Sequence, residues 1–221
     1  MYDQVADYML QLSQLTFPQV GSISKDLVTG EWGVTERPLT YNMNELVTST
    51  GYPPNEFPTA SFLRTGDYFT ALAEQHMTHF QTQRNLAISE TDTRWRFTAR
   101  HFFTQLVPEH CAESFSLFCD DLRPANMLAD PETLRITAVL DLEFTNAMPA
   151  QFACDPPWWL LLQPPHTFLE RGERSVFLER FVPRMEQFIR AVERAEQKFP
   201  SAETKKPFSV QMRESWDSGR F

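Results

Sequence analysis

Asp121, Asn126 and Asp141 are the side chains whose types and spacing point most directly to chemistry. They lie in the stretch Phe118 to Phe144, FCDDLRPANMLADPETLRITAVLDLEF. A short apolar run, Phe115 to Phe118, gives way to Cys119-Asp120-Asp121, and Pro124 keeps the preceding Arg123 out of the helical region. A turn is expected at Asp130-Pro131-Glu132, followed by a strand over Ile136 to Leu140 that ends in Asp141. Two short strands joined by a tight turn would bring the Asp121 loop and Asp141 together. Two carboxylates and one amide then surround a space suited to a hard cation, which prefers oxygen ligands. Phosphoryl transfer uses such a set. One Asp orients or accepts the proton of an attacking hydroxyl, and an Asn with a second Asp holds Mg²⁺ against nucleotide phosphates.

Asp121-Leu122 followed by Asn126 repeats the D-L-x-x-x-N spacing of protein-kinase catalytic loops, and Asp141 stands where the aspartate of D-F-G would. The detail is closer to another branch. Asp121-Leu122-Arg123-Pro124-Ala125-Asn126, then Leu140-Asp141-Leu142-Glu143-Phe144, resembles the H-G-D-L-H-P-G-N and I-D-W-E-F motifs of the aminoglycoside phosphotransferase-like family. CDDLRPAN with the downstream PPWWLLL resembles the large fungal group within it. Cys119 stands in place of the usual His, Asp120 in place of a Gly, and Leu142 in place of the Trp after the metal-binding Asp. The resemblance implies an α+β, mainly helical fold. Residues 1–197 would form a protein-kinase-like C-terminal lobe, with a short β-hairpin carrying the catalytic and metal loops, and 198–221 a polar tail. It also implies Asp121 as the catalytic base, Asn126 and Asp141 as ligands of Mg²⁺ and thereby of ATP, and a hydroxyl acceptor whose identity nothing in the sequence picks out.

In such enzymes a Gly-rich turn and a strand-borne Lys grip the nucleotide. Among seven Gly there is no G-x-G-x-x-G, and Lys25, in a turn-like S-K-D, is the only Lys ahead of the loop. The expectation is a C-terminal lobe without its N-terminal lobe, inactive as it stands, binding Mg²⁺ and ATP only when that lobe is supplied. Self-association through the uncovered inter-lobe face is expected with it. A non-catalytic kinase-like binding module is the alternative reading. A weaker third is a metal-dependent hydrolase using Asp120, Asp121, Asp141 and Glu143.

Composition narrows the field. Of 221 residues 42% are hydrophobic and 19 are Phe, which supports a packed core and argues against a disordered chain. A net charge of −9 makes nucleic acid an unsuitable partner, because phosphate backbones need basic surface. The longest apolar stretch, Trp158 to Leu162, is far too short for a membrane span. The N-terminus has Asp3 and Asp7 and no early positive charge, unlike a secretory leader. Cys111, Cys119 and Cys154 contain no C-x-x-C, so neither a disulfide framework nor a zinc site is expected, and a reducing, cytoplasmic compartment fits. Cys119 makes a poor nucleophile, since the neighbouring Asp120 and Asp121 raise a thiol pKa.

The remaining elements follow from periodicity. Val5, Tyr8, Met9, Leu12 and Leu15 predict an amphipathic helix over 2–15. Strands are expected at Ser22–Ser24 and Trp32–Thr35 around Thr29-Gly30. Residues 41–64, rich in Pro, read as a long loop with a helical turn near Asn44 to Val47. A helix capped by Thr65 or Asp67 runs to about Gln83, with Phe69, Leu72, Ala73, His76 and Phe80 inward. His76 and His79 read as part of a polar helix face rather than a metal pair. Another helix over 91–106 places Trp95, Ala99, Phe102 and Leu106 inward and stops at Pro108. Trp158-Trp159 reads as a core anchor in preference to a ligand-stacking platform, and Asp155 as the polar residue nearby that faces the cleft. Ser175 caps a last strong helix with Phe177, Phe181, Met185, Phe188 and Val192 inward, and the chain from Lys198 onward is expected to fray.

Overall fold

Cap and turn chemistry set where the elements begin and end in the computed structural model, which describes residues 1–83, 85–107, 114–199 and 206–219. Along the chain these are α1 (Tyr2–Ser13), β1 (Thr16–Phe17), β2 (Gly21–Lys25), β3 (Trp32–Glu36), α2 (Tyr41–Thr50), α3 (Thr65–Thr82) and α4 (Glu90–Leu106). There follow β4 (Phe115–Cys119), β5 (Met127–Ala129), β6 (Ile136–Val139), β7 (Thr145–Pro149), α5 (Ala150–Ala153), α6 (Pro165–Glu170), α7 (Arg174–Lys198) and α8 (Phe208–Asp217). The class is α+β and mainly helical, as expected from the sequence. The elements fall into two compact units. Pro108 and Cys111 lie outside the described residues.

The unit formed by Thr16–Asp120 and Glu143–Ala150 carries a five-stranded antiparallel sheet in the order β1-β4-β7-β2-β3. The β2–β3 hairpin forms where the sequence places it. A Cβ on Gly21 would stand 2.3 Å from the Glu36 carbonyl oxygen and 2.6 Å from Val34 Cγ1, so only glycine lets the two strands close at their bulge. Asn146, buried in β7, donates Nδ2 to the Leu39 carbonyl (2.8 Å) and accepts from the Leu39 amide at Oδ1 (3.0 Å). Its side chain thus pairs with a stretch that has no strand of its own.

The 41–64 segment differs from the expected loop. The Thr40 hydroxyl accepts from the Met43 amide at 3.2 Å, and Gly51 (φ 69°) ends the helix in the left-handed region, giving α2 its full length from Tyr41 to Thr50. Met43 and Leu46 then bury against Tyr52 and Phe57. The prolines come only after this helix has closed. In α3 neither Thr65 nor Asp67 caps, since the N-cap is Arg64 with no side-chain bond. Tyr68, Ala73 and Gln75 are buried there, while Phe69, Leu72, His76 and Phe80 are half-buried.

Helix α4 begins one residue early, capped by Ser89, which accepts from the Asp92 amide at 3.1 Å. Its inward face is not the expected one. Trp95 is 72% and Phe102 57% exposed, and Leu106 also faces solvent. The side turned to α3 carries Arg100, whose Nε donates to the His76 carbonyl (3.0 Å) and whose guanidinium stands over the Phe80 ring at 5.3 Å. Phe103, three residues further along the same side, meets the His76 ring edge-on at 6.1 Å. The long Arg100 stem and its charge thus win the contact from the larger aromatic stripe.

The other unit comprises Met1–Leu15, Asp121–Leu142 and Gln151–Phe221. Its core is α7, where Phe181, Phe188, Ile189, Val192 and Ala195 are fully buried, and Phe177 and Met185 nearly so, as their helical spacing predicts. Burying each large apolar side chain contributes about 1.5–3 kcal/mol. Ser175 is not the cap, since the helix starts at Arg174. Helix α1 lies on α7 through Val5, Ala6 and Leu10, with ion pairs Asp3–Arg194 (2.6 Å) and Asp7–Lys198 (3.0 Å). It stops at Ser13, leaving Leu15 exposed rather than inward. Trp159 is buried and meets Phe188 edge-on at 5.9 Å, the core-anchor role. The chain end does not simply fray. Although 200–205 lie outside the described residues, α8 packs on α7, with Trp216 stacked on Phe181 at 5.3 Å and the Glu196 carboxylate accepting from Ser209 N (2.9 Å) and Oγ (2.7 Å).

Candidate phosphoryl-transfer site

The site is built on a hairpin. Strands β5 and β6 pair antiparallel, Met127 opposite Val139 and Leu128 opposite Ala138. The connection is tied by Asp130, whose Oδ1 accepts from the Glu132 amide (3.0 Å), the Thr133 amide (2.7 Å) and the Thr133 hydroxyl (2.8 Å). Those bonds, the Thr133 amide first, hold the Asp130 carboxyl below the usual carboxylate range. Helix α1 locks the hairpin through Gln4, whose Nε2 donates to the Leu134 carbonyl (3.2 Å) and whose Oε1 accepts from the Ile136 amide (2.8 Å). The sequence offers no signal for Gln4, a polar residue on a helix 132 positions from its partner.

Ahead of β5, residues Pro124–Asn126 form a single 3-10 turn, with Pro at its start and Arg123 extended as the proline requires. The turn buries Asn126 at 6% exposure. Its Nδ2 donates both to the Asp121 carbonyl (3.0 Å) and to Asp121 Oδ2 (2.7 Å). The Leu140 amide donates to the Asn126 carbonyl at 2.8 Å, extending the ladder past Met127–Val139 and setting Asp141 one residue beyond the position opposite Asn126. Asp141 itself is exposed and has φ 56°, in the left-handed region that non-glycine residues adopt at a cost. The structure thus puts Asp121 and Asn126 in direct contact, and ties the backbone of Asn126 to the residue before Asp141.

One partner was not visible in the sequence. Arg123 Nε stands 2.8 Å from Asp121 Oδ1, an ion pair lying off the line of a hydrogen bond. The only hint is the two-residue spacing of opposite charges in a turn. The donor set fits a hard cation. With its amide nitrogen committed to Asp121, Asn126 has its side-chain oxygen left to offer, and Asp141 adds an exposed carboxylate. Two protein oxygens suit Mg²⁺, which takes its other ligands from water and phosphate.

The other candidates have structural partners. Among the described residues no group of three or more His, Cys, Asp or Glu gathers where a metal would sit. His79 Nε2 is hydrogen-bonded to Gln83 Oε1 and His76 packs on Phe103. Asp120 Oδ2 accepts from the Tyr41 amide at 3.1 Å, at the start of α2. Asp155 does not stand free for a cleft, since its Oδ1 accepts from the Ser215 hydroxyl on α8. Cys119 is buried in β4 opposite Thr145. No helix among the described residues is long and apolar enough to cross a membrane. Comparison of the chain with protein-family models, with curated proteins and with solved structures finds no match.

Proposed function

We propose that this chain is the C-terminal lobe of a protein-kinase-like phosphotransferase of the aminoglycoside phosphotransferase-like kind, acting on a hydroxyl acceptor when a nucleotide-gripping N-terminal lobe is supplied. The observation that carries the reading is the double hydrogen bond from Asn126 Nδ2 to Asp121, made beside a hairpin whose second strand leads into Asp141. Asp121 is then the group that orients the acceptor hydroxyl and takes its proton. Asn126 and Asp141 are the residues that would hold Mg²⁺, which when bound to ATP neutralises charge on the transferring phosphoryl group.

Titration with Mn²⁺ as a spectroscopic stand-in for Mg²⁺, with ATP and an N-terminal lobe supplied, tests the ligand set. Asn126→Ala and Asp141→Ala should each abolish the binding that Glu143→Ala leaves largely intact. An Asp141→Ala protein that titrates like wild type removes Asp141 from the set. With an N-terminal lobe supplied, Asp121→Asn should cut turnover by roughly 10²-fold or more, the range of general-base contributions, with nucleotide affinity nearly unchanged.

The Arg123–Asp121 ion pair favours a second reading, a non-catalytic kinase-like binding module. It occupies the carboxylate oxygen that a hydroxyl proton would otherwise use. Calorimetry with Mg-ATP beside a phosphate-release assay separates the two. Steady turnover by any form of the protein excludes the module, whereas nucleotide binding without turnover in the presence of an N-terminal lobe excludes the enzyme.

A further inference from the structure

Helix α4 presents an apolar stripe to solvent. Trp95, Ala99, Phe102 and Leu106 recur at spacings of four, three and four residues, so they lie within about 60° of one another around the helix. An arc of that kind ordinarily meets a core. Here all four are exposed, and α4 has no buried residue along its length. The side that meets α3, with Arg100 and Phe103, stands about a quarter turn away. A contiguous exposed stripe with two large aromatic side chains marks an interaction surface.

The stripe is complementary to itself. Its spacing reads the same in both directions. A two-fold axis crossing the helix between Arg100 and His101 sets Trp95 opposite the partner's Leu106, and Ala99 opposite the partner's Phe102. Each layer then holds one bulky and one smaller side chain, as interdigitating helices require. The register is specified as well. Sliding one copy by a heptad sets the Asp92 carboxylate against the partner's Phe102, and sliding it the other way leaves only Phe102 and Leu106 in contact.

Charge agrees with this occupant. On the flank away from α3 the stripe is edged by Thr91, Thr98 and Gln105, so no like charges meet across the axis. The arginines of α4 are engaged within the chain: Arg94 with Glu90 at 2.7 Å, Arg96 with Asp92 at 2.9 Å, and Arg100 with the His76 carbonyl. An anionic membrane surface binds amphipathic helices through cations on the polar face, and those of α4 are already paired. Area sets the strength. Four aromatic side chains, worth about 150–250 Å² each when fully buried and here 72% and 57% exposed, bring roughly 400–650 Å² to the pair. With Leu106 and the polar edge the total comes to about 1,000 Å², the lower end for specific association.

We propose that α4 is the interface of an isologous homodimer, two copies of the helix pairing antiparallel about the axis between Arg100 and His101, with dissociation in the micromolar range. The assignment is independent of the phosphoryl-transfer reading, since none of its residues belongs to the Asp121–Asn126–Asp141 set.

Sedimentation equilibrium of the whole protein from about 1 to 200 µM tests it, and should show a monomer–dimer equilibrium. Ala99→Glu and Phe102→Lys each put a charge into a desolvated layer and should each weaken dimerisation about tenfold or more. Both positions are exposed in the monomer, so Tm in dilute solution should not change. An equimolar mixture of the two variants should recover the association that either loses alone. One central layer then pairs opposite charges and the other keeps its native Ala99 and Phe102. A protein that stays monomeric throughout overturns the proposal. So does a dimer that Ala99→Glu leaves intact, which would place association on another face, and so does a mixture that recovers nothing. Binding to phosphatidylserine vesicles that Trp95→Ser abolishes, without any dimer, assigns the stripe to a membrane and overturns it too.

Discussion

Asn126 Nδ2 lies 2.7 Å from the carboxylate and 3.0 Å from the carbonyl of Asp121, so one buried amide fixes both the backbone and the side chain of the candidate base. Replacing it by Ala leaves the Asp121 carbonyl without this donor, and Asn126→Asp sets two carboxylates against each other. Loss of a buried bond to a charged group should cost Asn126→Ala about 1.5–3 kcal/mol. Asn126→Asp should be less stable at pH 8 than at pH 4, where the shared site can hold a proton. Urea titrations at the two pH values check both statements, and an Asn126→Asp protein equally stable at both speaks against the contact.

Gln4 makes a parallel prediction for the hairpin. Gln4→Ala removes the donor to the Leu134 carbonyl and the acceptor for the Ile136 amide. Stability should fall by about 1–2 kcal/mol, two modest hydrogen bonds at a partly exposed site. Amide exchange should speed up at Ile136 and at the paired β5–β6 amides before it changes in α7. Uniform acceleration across the unit would mean that Gln4 acts only through global stability.

His76 should give the protein a pH dependence near neutrality. Burial first, then the charges of Arg100 and His79, hold its imidazole pKa below the ordinary value. The unfolded chain, with a pKa of about 6.5, therefore takes up the proton first as the pH falls. The stabilising contribution is full above about pH 6.5 and is lost progressively as the pH drops from there to the depressed folded value. Thermal unfolding between pH 5 and 8 should show this slope in the wild type and a smaller one in His76→Phe. An unchanged slope in the variant would assign it to another group.

Phe188 is fully buried and meets both Tyr2 on α1 (5.6 Å) and Trp159 (5.9 Å) edge-on. Phe188→Ala should cost about 3–5 kcal/mol, the transfer loss plus the cavity left among rigid rings. Phe188→Leu should recover much of that. Chemical denaturation measures both, and the Trp159 fluorescence should respond to the substitution before unfolding begins.

Where short-range chemistry decides, the sequence alone is informative. The helical spacing of Phe177, Phe181, Met185, Phe188 and Val192 located the core face of α7, Thr29-Gly30 located the β2–β3 turn, and Asp130-Pro131-Glu132 located the turn of the site hairpin. Each depends on residues a few positions apart, whose φ/ψ preferences and periodicity act before any tertiary contact forms. The D-L-x-x-x-N spacing belongs to the same class, because the bond from Asn126 to Asp121 closes within one turn.

What only the tertiary structure decided involves partners far apart in the chain. The face α4 turns to α3 went to Arg100, because the His76 carbonyl and the Phe80 ring on α3 offered it a hydrogen bond and a π-face. The 198–221 segment reads as polar, yet α8 docks because Glu196 and Phe181 on α7 meet Ser209 and Trp216. Gln4 and Asn146 are ordinary polar residues until backbone groups 132 and 107 positions away come within reach. Hydrogen bonds of that kind have no period and no local propensity. They exist only once packing has brought a buried amide or carbonyl to a place where it must be satisfied, and burial then selects the side chain that reaches it.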